Sequence, residues 1–209
     1  MKFNNININT FNDWALQDKD KGMELGHASS VSKMFDLIKK DSHIFDSSFK
    51  ALDLGCGNGW VVRKFLDIKN CKSAMGIDGA PAMVKKAKEI DSRGFYINAD
   101  IEKWTCEKKF DIVFSMETFY YFDNVDKVLS NIYNNIISSR GLLIIGIDHY
   151  FENTSSLNWD KEFNLKLNTL SINDWINKIK NIGFKNIQHT LHGSKKNWHG
   201  TLILYAYKT

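Results

Sequence analysis

Asp53-Leu54-Gly55-Cys56-Gly57-Asn58-Gly59-Trp60 sets three glycines at alternate positions between a short apolar run and a helical pattern. Glycines there let the chain turn tightly and bring its backbone close to a ligand, while the helix start offers free N–H groups. Asp78 ends the next apolar run, at about the distance where nucleotide-binding folds set an acid that accepts both ribose hydroxyls. It is also placed to cap the helix that starts at Pro81. The dinucleotide pattern G-x-G-x-x-G is not met, because position 60 is tryptophan.

Proton-transfer chemistry has its candidates further on. His149 follows the apolar run Leu142 to Ile147, and an imidazole can take a proton near neutral pH. Tyr120 is the second catalytic candidate, and Glu117, Tyr121 and Tyr150 are expected on the substrate side. The alternatives are a hydrogen-bonded loop histidine and an aromatic run, Phe119 to Phe122, that is mostly core. The three cysteines, Cys56, Cys71 and Cys106, are far apart and form no C-x-x-C, so no metal site or disulfide framework is expected.

These residues need a scaffold, and the apolar runs supply it. Strands are expected at Ala51–Leu54, Ser73–Ile77, Phe95–Asn98, Asp111–Ser115 and Leu142–Ile147, with helices between them. Asp123 is expected to cap the helix carrying Val125, Val128, Leu129, Ile132 and Ile136. Ser171 and Asp174 form a capping box ahead of Ile172 to Ile182, which Gly183 stops. This alternation predicts right-handed crossovers and a parallel sheet covered on both faces. Two runs at the end, Phe184–Leu191 and Thr201–Tyr207, leave no room for a helix between them and should be antiparallel. Val31, Met34, Phe35 and Ile38 mark a helix before the first strand, and the Asn-rich segment before Phe11 is expected to fray.

The form D-x-G-x-G-x-G resembles the first motif of the class I S-adenosylmethionine-dependent methyltransferases. The resemblance runs on through Asp78, Asn98-Ala99-Asp100-Ile101, Phe110 to Ser115 and Gly141 to Ile145. It implies a Rossmann-like α/β fold with a seven-stranded, mostly parallel sheet in the order 3-2-1-4-5-7-6, strand seven antiparallel. It further implies S-adenosylmethionine as cofactor, with Asp53, Gly55, Cys56 and Gly57 at its methionine end. By the same likeness Asp78 and Gly79 hold the ribose, and Asp100 and Ile101 the adenine. Ser115 and Met116 are then expected beside the methionine moiety. The segment Trp14 to His27 resembles an N-terminal element of small methyltransferases and implies a lid whose Met23 and His27 touch the cofactor. The alternative is a solvated charged turn at Asp18 to Lys21.

One domain is expected over residues 1–209: an N-terminal helical lid (1–48), a cofactor core (49–148), and a substrate-side cap with the terminal strands (149–209). The apolar stretches are too short for a membrane span or a signal peptide, and the cysteine usage fits the cytoplasm. From Trp175 onward there are six lysines and no acid, so the whole net charge of +4 lies in the last helix and strands. Lysines there protect a sheet edge; alternatively Lys195, Lys196 and Trp198 bind an anionic acceptor. The expected activity is methyl transfer to an oxygen, nitrogen or sulfur of a small metabolite. Methyl transfer to RNA or protein and a non-catalytic nucleotide-binding module are the alternatives; oligomeric state is not legible.

Overall fold

The computed structural model describes residues 5–209; the first four residues of the segment expected to fray lie outside it. A seven-stranded sheet forms the centre, built from β1 (Phe49–Leu54), β2 (Cys71–Asp78), β3 (Phe95–Asn98), β4 (Phe110–Met116), β5 (Ile137–Ile147), β6 (Lys185–His192) and β7 (Thr201–Tyr207). Its order is β3-β2-β1-β4-β5-β7-β6, and β7 runs antiparallel to both neighbours.

Period-two alternation divides the core between the two faces. Leu52, Leu54, Val113, Leu143 and Ile145 pack on one side; Ala51, Ile112, Phe114, Leu142 and Ile144 pack on the other. The first side is covered by α6 (Val125–Asn131), extended by a π-helical turn at Ile132–Ile136, and by α8 (Ile172–Ile182). The second is covered by α2 (Asp20–Lys39), α4 (Trp60–Leu66) and α5 (Pro81–Ile90). The expected capping box of α8 is present, and Gly183 closes the helix at φ 119°. The cap of α6 is Asn124, not Asp123: its side chain accepts from the Lys127 N–H. Asp78 is not the N-cap of α5 either, a position taken by Ala80.

The N-terminal segment departs most from expectation. Residues 6–16 form α1 (Ile6–Leu16), capped by the Asn5 side chain, so the described part of the Asn-rich segment is helical rather than frayed. Asn7 explains why this sequence holds still. Its Nδ2 donates to Lys166 O at 2.8 Å and Tyr121 O at 3.2 Å, and its Oδ1 accepts from Lys166 N at 2.8 Å. Helix α2 starts at Asp20, so Met23 and His27 stand on a helix and not in a turn before one. Single turns at α3 (Ser42–Phe45) and α7 (Trp159–Glu162) complete the chain.

Candidate functional site

Strand order reverses between β1 and β4, and a crevice opens at their carboxyl ends. The crevice holds about 1020 Å³ of space, its open mouth included. The glycine loop forms its floor. Gly55 sits at φ 80°, and a Cβ there would meet Thr118 Oγ1 at 1.9 Å, so only glycine fits.

Asp78 ties that loop to β2. Its two carboxylate oxygens accept from Gly57 N at 2.9 Å and Ala80 N at 2.8 Å. Each oxygen keeps a free lone pair for a further donor such as a hydroxyl. Burial raises the Asp78 carboxyl above its usual range, and these two N–H groups oppose that rise. Asp53, 3% exposed at the end of β1, lines the crevice with no partner for its carboxylate among the described residues. Burial, then the charge of Asp78, pushes it well above the ordinary carboxylate value. An unpaired carboxylate facing a cavity suits a ligand ammonium. Asp100 borders the far side, its oxygens engaged by Glu102 N and Lys103 Nζ, with Ile101 buried beside it.

Cys56, Gly79, Met116, Met23 and His27 also line the crevice, as expected from sequence, whereas Ser115 does not. The Ser115 hydroxyl is fully buried and donates to Leu54 O at 2.7 Å, joining β4 to β1.

At the other end stands Glu117, whose backbone is left-handed at φ 56° and whose N–H donates to Gly146 O at 2.9 Å. Such a conformation costs about 1–3 kcal/mol for a residue with a side chain and is held only by its surroundings. The Glu117 carboxylate accepts from the Tyr120 hydroxyl and from Asp148 N. Burial raises its pKa well above the usual range, and the nearby Asp148 adds to this. Ligand atoms of His27, Glu117 and Asp148 all lie within 4.8 Å of one another. Tyr121 lines this end and packs edge-on against Phe11 of α1, ring centroids 5.0 Å apart.

His149 does not line the crevice. It is 1% exposed, its Nδ1 lies 3.0 Å from Ser156 O, and its Nε2 lies 2.8 Å from Thr169 Oγ1. A carbonyl only accepts, so Nδ1 carries the proton and Nε2 accepts from the threonine. Burial also lowers its pKa, so it stays neutral. The general-base expectation fails here because both ring nitrogens are already used in the core. Tyr120 and Tyr150 are likewise buried behind the wall, with Tyr150 donating to Gly200 O. Lys195, Lys196 and Trp198 line a separate surface depression with Glu152 and Asn153, and Trp198 stacks on Trp159.

Sequence reasoning passed over Ile8, Phe11, Glu24 and Asp148. Asp148 ends β5 as Asp53 and Asp78 end their strands, a signal that could have found it; Ile8 and Phe11 depend on the tertiary placement of α1.

A family model described as a methyltransferase domain matches residues 52–145. Malonyl-[acyl-carrier protein] O-methyltransferase 2 of Ilyobacter polytropus is 27% identical over 197 residues, 91% of this chain and 70% of the relative. Its counterpart numbered 1 from the same organism is 31% identical over 138 residues, 63% of this chain and 51% of the relative. The chain thus spans only about half of the second relative. Among solved structures, the methyltransferase complexed with the Haloferax volcanii Trm112 activator has a TM-score of 0.78 at 21% identity, covering 94% of this chain and 96% of that one. The N-methyltransferase NodS of Bradyrhizobium japonicum, in complex with S-adenosylhomocysteine, has a TM-score of 0.65 at 14% identity, covering 85% and 86%. With its glycine loop, its strand-end acids and this sheet order, the chain has the fold of the class I S-adenosylmethionine-dependent methyltransferases, and its residues 52–145 match a methyltransferase domain.

Proposed function

We propose that this protein methylates a small molecule seated between His27, Glu117 and Tyr121. S-adenosylmethionine, when bound, supplies a methyl group on a positively charged sulfur. The chain's own residues hold and enclose it. Asp53 takes the amino group, Asp78 and Gly79 the ribose, and Asp100 with Ile101 the adenine, while Met116 and Met23 give apolar walls.

The observation that carries the small-molecule reading is enclosure. Helices α1 and α2 contribute Ile8, Phe11, Met23 and His27 to the crevice, and Asn7 fastens α1 to Tyr121 O and Lys166 O. A crevice roofed by two helices suits an acceptor that can be swallowed whole, and water kept out of it cannot compete for the methyl. The N-terminal helices thereby act as the lid. The names of the Ilyobacter relatives, acting on an acyl group, also favour a small reacting moiety over a nucleic acid.

Methyl-labelled cofactor incubated with fractionated cell extract tests this. Label is expected in the metabolite fraction; label confined to RNA or protein would overturn it.

A further inference from the structure

The relatives' names and the lysine pair Lys195–Lys196 both suggest an anionic acceptor, but the charges around the crevice point the other way. Among the described residues, seven that line it are Asp or Glu and none is Lys or Arg; one of the seven, Glu102, accepts from Asn124 N at 2.8 Å. Three of these acids are balanced by cations: Lys86 holds Asp20 at 2.7 Å, Arg63 lies 3.8 Å from Glu24, and Lys103 holds Asp100 at 2.8 Å. Asp53 and Asp78 face the cofactor. At the acceptor end Glu117 lines the crevice and Asp148 stands behind it, ligand atoms of the two within 4.8 Å, and neither has a lysine or arginine partner among the described residues. Their one basic neighbour is His27, whose Nδ1 is 3.5 Å from Asp148 Oδ2. Asp148 is 5% exposed, and its Oδ1 is buried with no hydrogen-bond partner.

Two carboxylates this close, one of them buried, are costly unless something positive joins them. A carboxylate or phosphate acceptor would add a third negative charge. We infer that the acceptor is a basic amine, bound as its ammonium by Glu117 with the carboxylate of Asp148 behind it, and walled by the rings of Tyr121 and Phe11. This deepens the proposed function and rests on it. Aromatic faces within reach of a cation add about 0.5–2 kcal/mol of attraction, which an anion would not gain.

The chemistry balances. The ammonium gives one proton to the Glu117 carboxylate, freeing the nitrogen lone pair. That lone pair forms the new N–C bond as the C–S bonding pair returns to sulfur, leaving neutral S-adenosylhomocysteine and a methylated ammonium. The proton leaves Glu117 through His27, whose side chain is 24% exposed and so reaches solvent.

Binding of two probes of similar shape and opposite charge, phenethylamine and 3-phenylpropionate, to the full chain saturated with S-adenosylhomocysteine tests this by calorimetry. The amine is expected to bind at least about tenfold more tightly. Glu117→Gln and Asp148→Asn should each remove most of that preference while S-adenosylhomocysteine affinity stays within about threefold. Should Asp148→Asn not fold, Glu117→Gln alone decides. No preference for the amine, or tighter binding of the carboxylate, overturns the inference. So does methyl transfer that is lost with EDTA and restored by Mg²⁺, which would make the cluster a metal site. Label recovered in small-molecule methyl esters would overturn the amine acceptor while leaving the small-molecule reading standing; label only in macromolecules would remove both.

Discussion

At the scale of single residues, the crevice is bought with instability that substitutions should reveal. Glu117 is half-buried, its carboxylate accepting from the Tyr120 hydroxyl and Asp148 N with His27 near by, and its pKa is raised. A carboxyl whose folded pKa exceeds its unfolded value favours folding below the unfolded value, and that contribution is lost as pH rises through the folded one. Glu117→Gln should therefore melt higher than the parent at pH 8, by about 2–4 °C for each kcal/mol relieved, and the gap should close towards pH 4. Equal melting curves at pH 8 would show that the burial cost is already met. Gly55→Ala works in the opposite direction. A Cβ 1.9 Å from Thr118 Oγ1, at φ 80°, forces the loop to shift. Loss of about 1–3 kcal/mol of stability and of most cofactor affinity is expected by chemical denaturation and calorimetry. That the glycine loop and the acids Asp53 and Asp78 gather at one crevice was legible because it follows from their position at strand ends. The role of His149 was not, because Ser156 and Thr169, 7 and 20 residues away, decide whether the imidazole faces the crevice or the core. His149→Ala should thus cost about 2–4 kcal/mol of stability, through a cavity and two unpaired groups, instead of slowing a proton transfer. Because burial depresses its pKa, stability tied to His149 is held above about pH 6.5 and falls as pH drops through the folded value. A folded His149→Ala protein with intact melting temperature and lost turnover would contradict this assignment.

At the scale of elements, strands and the well-capped helix were readable from local pattern alone. Phe95–Asn98 matches the expected third strand, and the Ser171 and Asp174 box opens α8 where the sequence put it. Helix α1 was not readable: its polar, asparagine-rich start offers little helical propensity. What fixes it is long-range, chiefly Asn7 against Tyr121 and Lys166, Asn12 Oδ1 accepting from Ala82 N at 3.0 Å, and Trp14 packing on Phe163. These ties join the lid to both halves of the crevice. Asn7→Ala breaks three hydrogen bonds at one residue and leaves Lys166 N and two carbonyls to find new partners. Cofactor affinity is expected to fall by about tenfold, with global stability reduced by about 1–2 kcal/mol. Faster hydrogen exchange confined to α1 would mark the effect as local opening; unchanged exchange and affinity would mean that α1 is not the lid.

At the scale of the whole molecule, the positive end of the sequence dissolves once folded. Lys178 pairs with Asp126 at 2.8 Å, and Lys208 turns inward over the Tyr133 ring and the carbonyls of Tyr133 and Ile137. Lys185 lies on β6, the edge strand, where a lysine discourages pairing with a second sheet. Lys195 and Lys196 stand at the separate depression beside Glu152, apart from the crevice. Negative charge, by contrast, is gathered at the carboxyl ends of the strands, where the sheet's switch point makes the crevice. Acids line the crevice, while the lysines of the last helix and the terminal strands do not. Lys195→Ala together with Lys196→Ala should leave the acceptor KM within about twofold, because about 8 Å of screening at physiological salt isolates exposed charges from a site they do not line. A KM raised tenfold or more by that double substitution would return the lysines to substrate binding and favour an anionic acceptor after all.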